Sequence, residues 1–221
     1  SVDGEGYPTM AAHPGGAPAN FLAALTKFGA STALLGKVGT DTFGKLLTGT
    51  LQKAGIETRG LIATDDTFTT LAFVTFDDRG DRAFAFSRKP GADTNISFEE
   101  LDLSLLDGSR VFHFGTLSLT HEPARTATYQ AVAYAKNKGT LITYDPNLRP
   151  PLWNTLEEAK EQIAFGMQWC DVMKISDNEI QWFTGKEDFD EGIRILQDTY
   201  HIPLILLSLG RDGSRAYYRG M

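Results

Sequence analysis

In DPNLRP, residues 145 to 150, an aspartate, an asparagine and an arginine stand at alternate positions: Asp145, Asn147 and Arg149. Pro146 disfavours helix at Asp145 and keeps the segment extended, so these side chains can reach a crevice beyond the preceding strand. The Arg149 guanidinium is a planar fork suited to an anion, although an Asx-type turn with a surface arginine uses the same residues. In KISDNE, residues 174 to 179, Lys174 can meet a phosphate, and Asp177 and Glu179 can hold Mg2+ directly or through water. Ser176 and Glu179 equally spell a capping box, and the two readings are compatible. In GGAPAN, residues 15 to 20, Gly15 and Gly16 permit close backbone approach just before a helix start with its free N–H groups. Asn20 can donate and accept at once, which suits a hydroxyl-rich ligand better than a phosphate; a plain turn and helix start is the alternative. SLGRDG, residues 208 to 213, sets Gly210 and Gly213 where a turn can lie against a nucleotide or simply join two strands.

Other chemistries lack their residues. Neither GxGxxG nor GxxxxGK[ST] occurs, and there is no GxSxG nucleophile motif. The histidines show no metal-ligand spacing, and His113, flanked by Phe112 and Phe114, reads as a structural residue of a strand.

The elements that must position these residues alternate in type. Apolar spacing predicts helices over 18–28 and 42–54 with a buried strand over 31–39 between them. Between Leu61 and Arg88 the period changes to that of a β-hairpin, LAFVTFD and RAFAFSR joined by DRGD. Strands follow at 111–116, 140–147, 171–176 and 203–210, separated by helices at 123–138, 155–169 and 188–200. That alternation implies an α/β fold of parallel βαβ units, with helices on both faces of the sheet and ligands beyond the carboxyl ends of its strands. The segments rich in Gly, Asp, Asn, Lys and Arg fall at those ends.

Composition narrows the partners. The net charge of −7 argues against a chain-wide grip on nucleic acid, so an anionic ligand needs locally concentrated cations. No apolar run reaches the length of a membrane span, and the single cysteine, Cys170, cannot form an internal disulfide. A cytoplasmic setting is the simpler expectation.

In this order, GGAPAN, GKVGTDTFG, a hairpin ending FSRKPGAD, DPNLRPPLW, KISDNEIQWFTG and LSLGRDGS resemble the ribokinase-like (PfkB) carbohydrate kinases, and among them the fructokinases. The resemblance implies a three-layer core, residues 15–57 and 93–221, and a small β-sheet lid, residues 1–14 and 58–92, with a sugar between them. It sets Gly15, Gly16 and Asn20 against sugar hydroxyls, Arg88 of the lid over the site, and Asn147 and Arg149 near the sugar or the moving phosphoryl group. Glu179 would act on the Mg2+ and phosphate network, with Ser176 standing where the family often has asparagine. Lys174, Ser208, Gly210 and Gly213 would serve ATP. The activity implied is transfer from ATP to D-fructose, giving fructose 6-phosphate. The hairpin and DPNLR are also features of 2-keto-3-deoxygluconate kinases, and a non-catalytic sugar-binding or scaffold relative is the reading from another class. A homodimer through the lid and activation by a monovalent cation are further expectations of the family.

The family's DTxGAGD motif, with its proton-accepting aspartate and helix-start anion hole, is absent from these residues, as is its first core strand. The expectation is therefore that the chain is part of a longer enzyme. A non-catalytic relative, or completion by a second chain, are the alternatives.

Overall fold

The computed structural model describes residues 3–76 and 82–219. Helix α1 (Ala17–Lys27) starts at Gly16, whose φ of 121° excludes a side chain, and Pro18 falls in its first turn, where a missing N–H costs nothing. Strand β1 (Gly36–Gly39) leads into α2 (Thr42–Lys53), whose first amides, Phe43 and Gly44, donate to the Asp41 carboxylate. Only the end of the strand expected over 31–39 is regular; before it, Ala33 makes an isolated bridge to Glu57. Strand β2 (Leu61–Thr64) pairs in parallel with β1, so the segment from Leu61 does not belong to the hairpin ladder. That ladder is formed by β3 (Leu71–Phe76) and β4 (Arg82–Ser87), antiparallel, and the DRGD turn expected between them lies outside the described residues.

After a short helix, α3 (Leu103–Asp107), the chain builds a five-stranded sheet. Its strands are β5 (Val111–Gly115), β6 (Leu141–Asp145), β7 (Val172–Ser176), β8 (Leu204–Ser208) and β9 (Ser214–Tyr218), in that spatial order. The first four run parallel and β9 returns antiparallel. Helices α4 (Ala124–Asn137), α5 (Leu156–Trp169), α6 (Asp177–Thr184) and α7 (Phe189–Tyr200) occupy the crossovers. Each boundary lies within two residues of the apolar spacing, β6 and β8 ending two residues before the expected limits 147 and 210. Helix α6 is the addition, for only its capping box was legible.

The two faces of this sheet differ. Phe114, Ile142, Tyr144, Met173, Ile175, Ile205 and Leu207 point to one side and form a single core with buried residues of α4, α5, α6 and α7. By the alternation of a strand, His113, Thr143, Asp145, Lys174 and Leu206 point to the other. There α1 packs beside β5, with the Phe21 ring 4.3 Å from the His113 imidazole. Burial of the first face fixes register, and register then decides which polar residues stand together on the second.

Candidate functional site

The chemistry predicted for DPNLR and KISDNE converges at the carboxyl ends of β6 and β7. Thr143 is the register partner of Val172, so Asp145 and Lys174, two residues further along, share one face; Lys174 Nζ lies 3.5 Å from Asp145 Oδ1. Burial pushes the Asp145 carboxyl upward, the Lys174 ammonium pulls it back, and the Glu179 carboxylate adds to the rise. Beyond Pro146 the chain turns through Asn147 at φ 46°, a left-handed conformation that asparagine tolerates.

That turn directs the next amide at α6. Leu148 N–H donates to Glu179 Oε1 at 2.7 Å, while Ser176 donates its N–H (2.9 Å) and its hydroxyl (2.6 Å) to Oε2. The capping box at the start of α6 is therefore formed, and its carboxylate also ties the DPNLR loop to the neighbouring strand. Oε1 keeps a free lone pair. Among the described residues, no group of three or more His, Cys, Asp and Glu is placed to hold a metal ion. Asp145, at the end of β6, and Glu179, in the first turn of α6, nonetheless offer carboxylate oxygens, a donor set that fits Mg2+ completed by water and substrate phosphates.

Arg149 follows directly. Its Nη1 donates to the Leu148 carbonyl at 2.9 Å, and its Cζ stands 5.8 Å from the centroid of the Phe84 ring on β4. The loop and the hairpin thus meet at this guanidinium.

Arg88, expected over the site, follows directly after β4, two residues beyond Phe86. It is buried, with Nε donating to Asp93 (2.7 Å), Nη1 to Thr120 Oγ1 (2.8 Å) and Nη2 to the Leu117 carbonyl (2.7 Å). Most of its donors are spent on the protein, anchoring the base of the hairpin to the turn after β5.

Gly15, Gly16 and Asn20 lie at the exposed start of α1, which is held against β5 by Phe21. Ser208 is the register partner of Ser176, one strand further out, and its hydroxyl donates to the Ile175 carbonyl at 3.5 Å. Gly210 and Gly213 take φ of 55° and 93° in a one-turn 3-10 segment that joins β8 to β9, closed by Leu209 N–H to the Gly213 carbonyl at 2.8 Å. The hairpin reading of SLGRDG is realised, with both glycines exposed.

Sequence reasoning missed the cavity beside Arg149. Of about 300 Å³, it is lined by Phe84, Phe86, Lys89, His121, Pro151 and Leu152, together with Ala85 and Arg88. His121 Nδ1 is buried there with no hydrogen-bond partner; burial lowers the pKa of its imidazole, and Arg88, Lys89 and Arg125 lower it further. The alternation of Phe84 and Phe86 was a visible signal for an apolar hairpin face, but nothing local told which distant residues would meet it.

Three comparisons bear on this site. The family model described as pfkB family carbohydrate kinase matches residues 6–221. A probable fructokinase-2 of Arabidopsis thaliana is 41% identical over 204 residues, which cover 92% of this chain and 62% of that protein. The chain therefore spans about three fifths of that relative's length. Among solved structures, the apo fructokinase of Vibrio cholerae O395 superposes with a TM-score of 0.86 at 29% identity, over 95% of this chain and 71% of its own. The same fructokinase in a form with bound fructose, ADP and calcium ion gives 0.85 at 29%, over 94% and 66%.

Proposed function

Because the chain belongs to the pfkB family of carbohydrate kinases and has its ribokinase-like α/β fold, we propose that the intact enzyme transfers the terminal phosphoryl group of ATP to a sugar hydroxyl, converting D-fructose to fructose 6-phosphate. The observation that carries this reading is the Glu179 clamp, which presents Asn147 and Arg149 at the carboxyl ends of β6 and β7, beside Asp145 and Lys174. A relative of the same fold holds fructose and ADP together, which supports both ligand classes.

Phosphoryl transfer is governed by positioning and by neutralising the charge of the moving group. In a chain of net charge −7, Arg149 and Lys174 supply that neutralisation locally. Gly15, Gly16 and Asn20 form the sugar floor, where the bare backbone admits hydroxyls and the Asn20 amide reads them. Arg88 contributes by holding the lid hairpin. Ser208, Gly210 and Gly213, with Lys174, line the nucleotide. Glu179, through water, and Asp145 are the residues that would hold Mg2+, which when bound adds positive charge at the phosphates. Residues 15–57 and 93–221 act as the core and residues 1–14 and 58–92 as the lid, through which two copies pair, in a cytoplasmic enzyme. A monovalent cation is a further activator.

The test is ADP release by the intact enzyme with ATP and a panel of fructose, glucose, ribose and 2-keto-3-deoxygluconate. Fructose is expected to lead in kcat/KM by about tenfold or more. Equal or faster turnover of the acid sugar overturns the fructose assignment, and no ADP release with any acceptor overturns the kinase.

A further inference from the structure

We propose that Phe84 is the positioning residue for Arg149: its ring carries the guanidinium, so that the hairpin, and not the DPNLR loop alone, sets where this cation points. The inference rests on the kinase reading for its functional consequence and on geometry for its substance.

The three arginines around the site differ in how they are held. Arg88 has Asp93, Thr120 and the Leu117 carbonyl as partners. Arg125 bonds to the Leu119 and Thr120 carbonyls and to the Glu158 carboxylate. Both are fixed by rigid acceptors. Arg149, among the described residues, has no carboxylate partner and bonds only to the carbonyl of its own neighbour, Leu148. A bond to an adjacent residue cannot orient a side chain with several free torsions. Among the described residues, the other interaction of this guanidinium is with the Phe84 ring at 5.8 Å, within the reach at which an arginine is drawn to an aromatic face.

Phe84 is suited to the role by its own strand. Phe84 and Phe86 fall on one face of β4 by the period of two, and Arg88 follows directly after the strand. The Phe84 and Phe86 rings stack at 6.1 Å with 9° between their planes. Arg88 pins the base of that row to the turn after β5, so the face cannot rotate freely, and Phe84 pairs with Val74 across the hairpin. The ring is 38% exposed and lines the cavity beside the Pro151–Leu152 turn, so it is a support with solvent access and not a core residue. Movement of the hairpin would therefore carry Arg149 with it, linking lid position to placement of the phosphate-reading cation.

The experiment is a double-mutant cycle in the intact enzyme. Phe84→Leu keeps an apolar side chain but removes the aromatic face; kcat/KM is expected to fall about two- to fivefold, with the melting temperature unchanged and with Phe84→Trp restoring the rate. In an Arg149→Gln background, Phe84→Leu is expected to have no further effect. An equal loss in both backgrounds, or a failure of Trp to rescue where Leu impairs, overturns the proposal. The contact has a second readout that does not depend on turnover: the Arg149 Nε–H resonance should carry a ring-current shift that disappears in Phe84→Leu. Absence of that shift in the unmutated protein overturns the proposal even if the enzyme is active. Its presence in a protein without kinase activity sinks the kinase reading and leaves the contact standing.

Discussion

The Glu179 carboxylate accepts from Leu148 N–H, from Ser176 N–H and from the Ser176 hydroxyl. In Glu179→Ala two partly buried backbone amides lose their acceptor and α6 loses the carboxylate half of its capping box, while the Ser176 hydroxyl still caps the residue-179 amide, a cost of roughly 1–3 kcal/mol. Glutamine keeps one acceptor oxygen, so Glu179→Gln should lie between alanine and the native protein in a urea titration. If Ala and Gln are indistinguishable from the native chain, the clamp carries no stability. Arg149 makes the opposite prediction. Its guanidinium is partly solvated, and among the described residues its hydrogen bond runs to the adjacent residue alone, so little of the fold depends on it. Arg149→Ala is expected to leave the melting temperature unaltered and to lower kcat by about tenfold or more, the loss of a charge that matters in the transition state. A change confined to the melt, with kcat preserved, would return DPNLR to the role of a structural turn.

Strand β6 carries Asp145 because its other face is gripped. Tyr144 is fully buried, shares a hydrogen bond of 2.7 Å with Thr116 Oγ1, and lies under α5 at Gly166, where a Cβ would run into the aromatic ring. Gly166→Ala should therefore force the helix or the ring to move, destabilising by roughly 1–3 kcal/mol despite alanine's better helix propensity; unfolding in denaturant measures it, and a stabilised variant would contradict the packing. Strand β5 offers a pH test. Burial against Phe21 lowers the His113 pKa to about 4, while an unfolded histidine titrates at its ordinary value of 6.5. As pH falls from about 6.5 toward 4, the unfolded chain takes up a proton that the folded chain refuses. Stability is thus intact above that window and declines through it on acidification, by about 1.4 kcal/mol per unit of displacement at most. Replacing His113 with asparagine should flatten the decline between pH 6.5 and pH 4.5; an unchanged slope assigns it to other groups.

Most helices and strands of the main sheet were legible because each carries residues with one local meaning, such as Pro18 and Gly29 around α1 or the apolar run of β8. What was not legible depends on pairs far apart in the chain. Leu61 begins a strand that joins β1 because of a partner at Gly36, and no local period separates it from the hairpin that follows. The loop from Asp145 and the helix at Glu179 were each readable, but the bond between them was not. Arg88 is the sharpest case: FSR marks the end of a hairpin, yet only the folded chain brings Asp93, Thr120 and Leu117 around the guanidinium. That arrangement makes Arg88 a tie between the β3–β4 hairpin and the body of the molecule, since among the described residues the hairpin strands pair only with each other. Arg88→Met keeps the aliphatic stem and removes every donor, leaving the Thr120 hydroxyl and the Leu117 carbonyl with only their bond to each other while Asp93, 40% exposed, turns to water. The expected cost of roughly 2–4 kcal/mol falls mostly on one unit of the structure. Amide hydrogen exchange should accelerate along residues 71–76 and 82–87, with the amides of β6, β7 and β8 keeping their protection. Uniform acceleration across both sheets would mean that Arg88 supports the whole fold; no acceleration in the hairpin would mean that another contact holds it, and Phe84 would then take its fixed position from a different anchor.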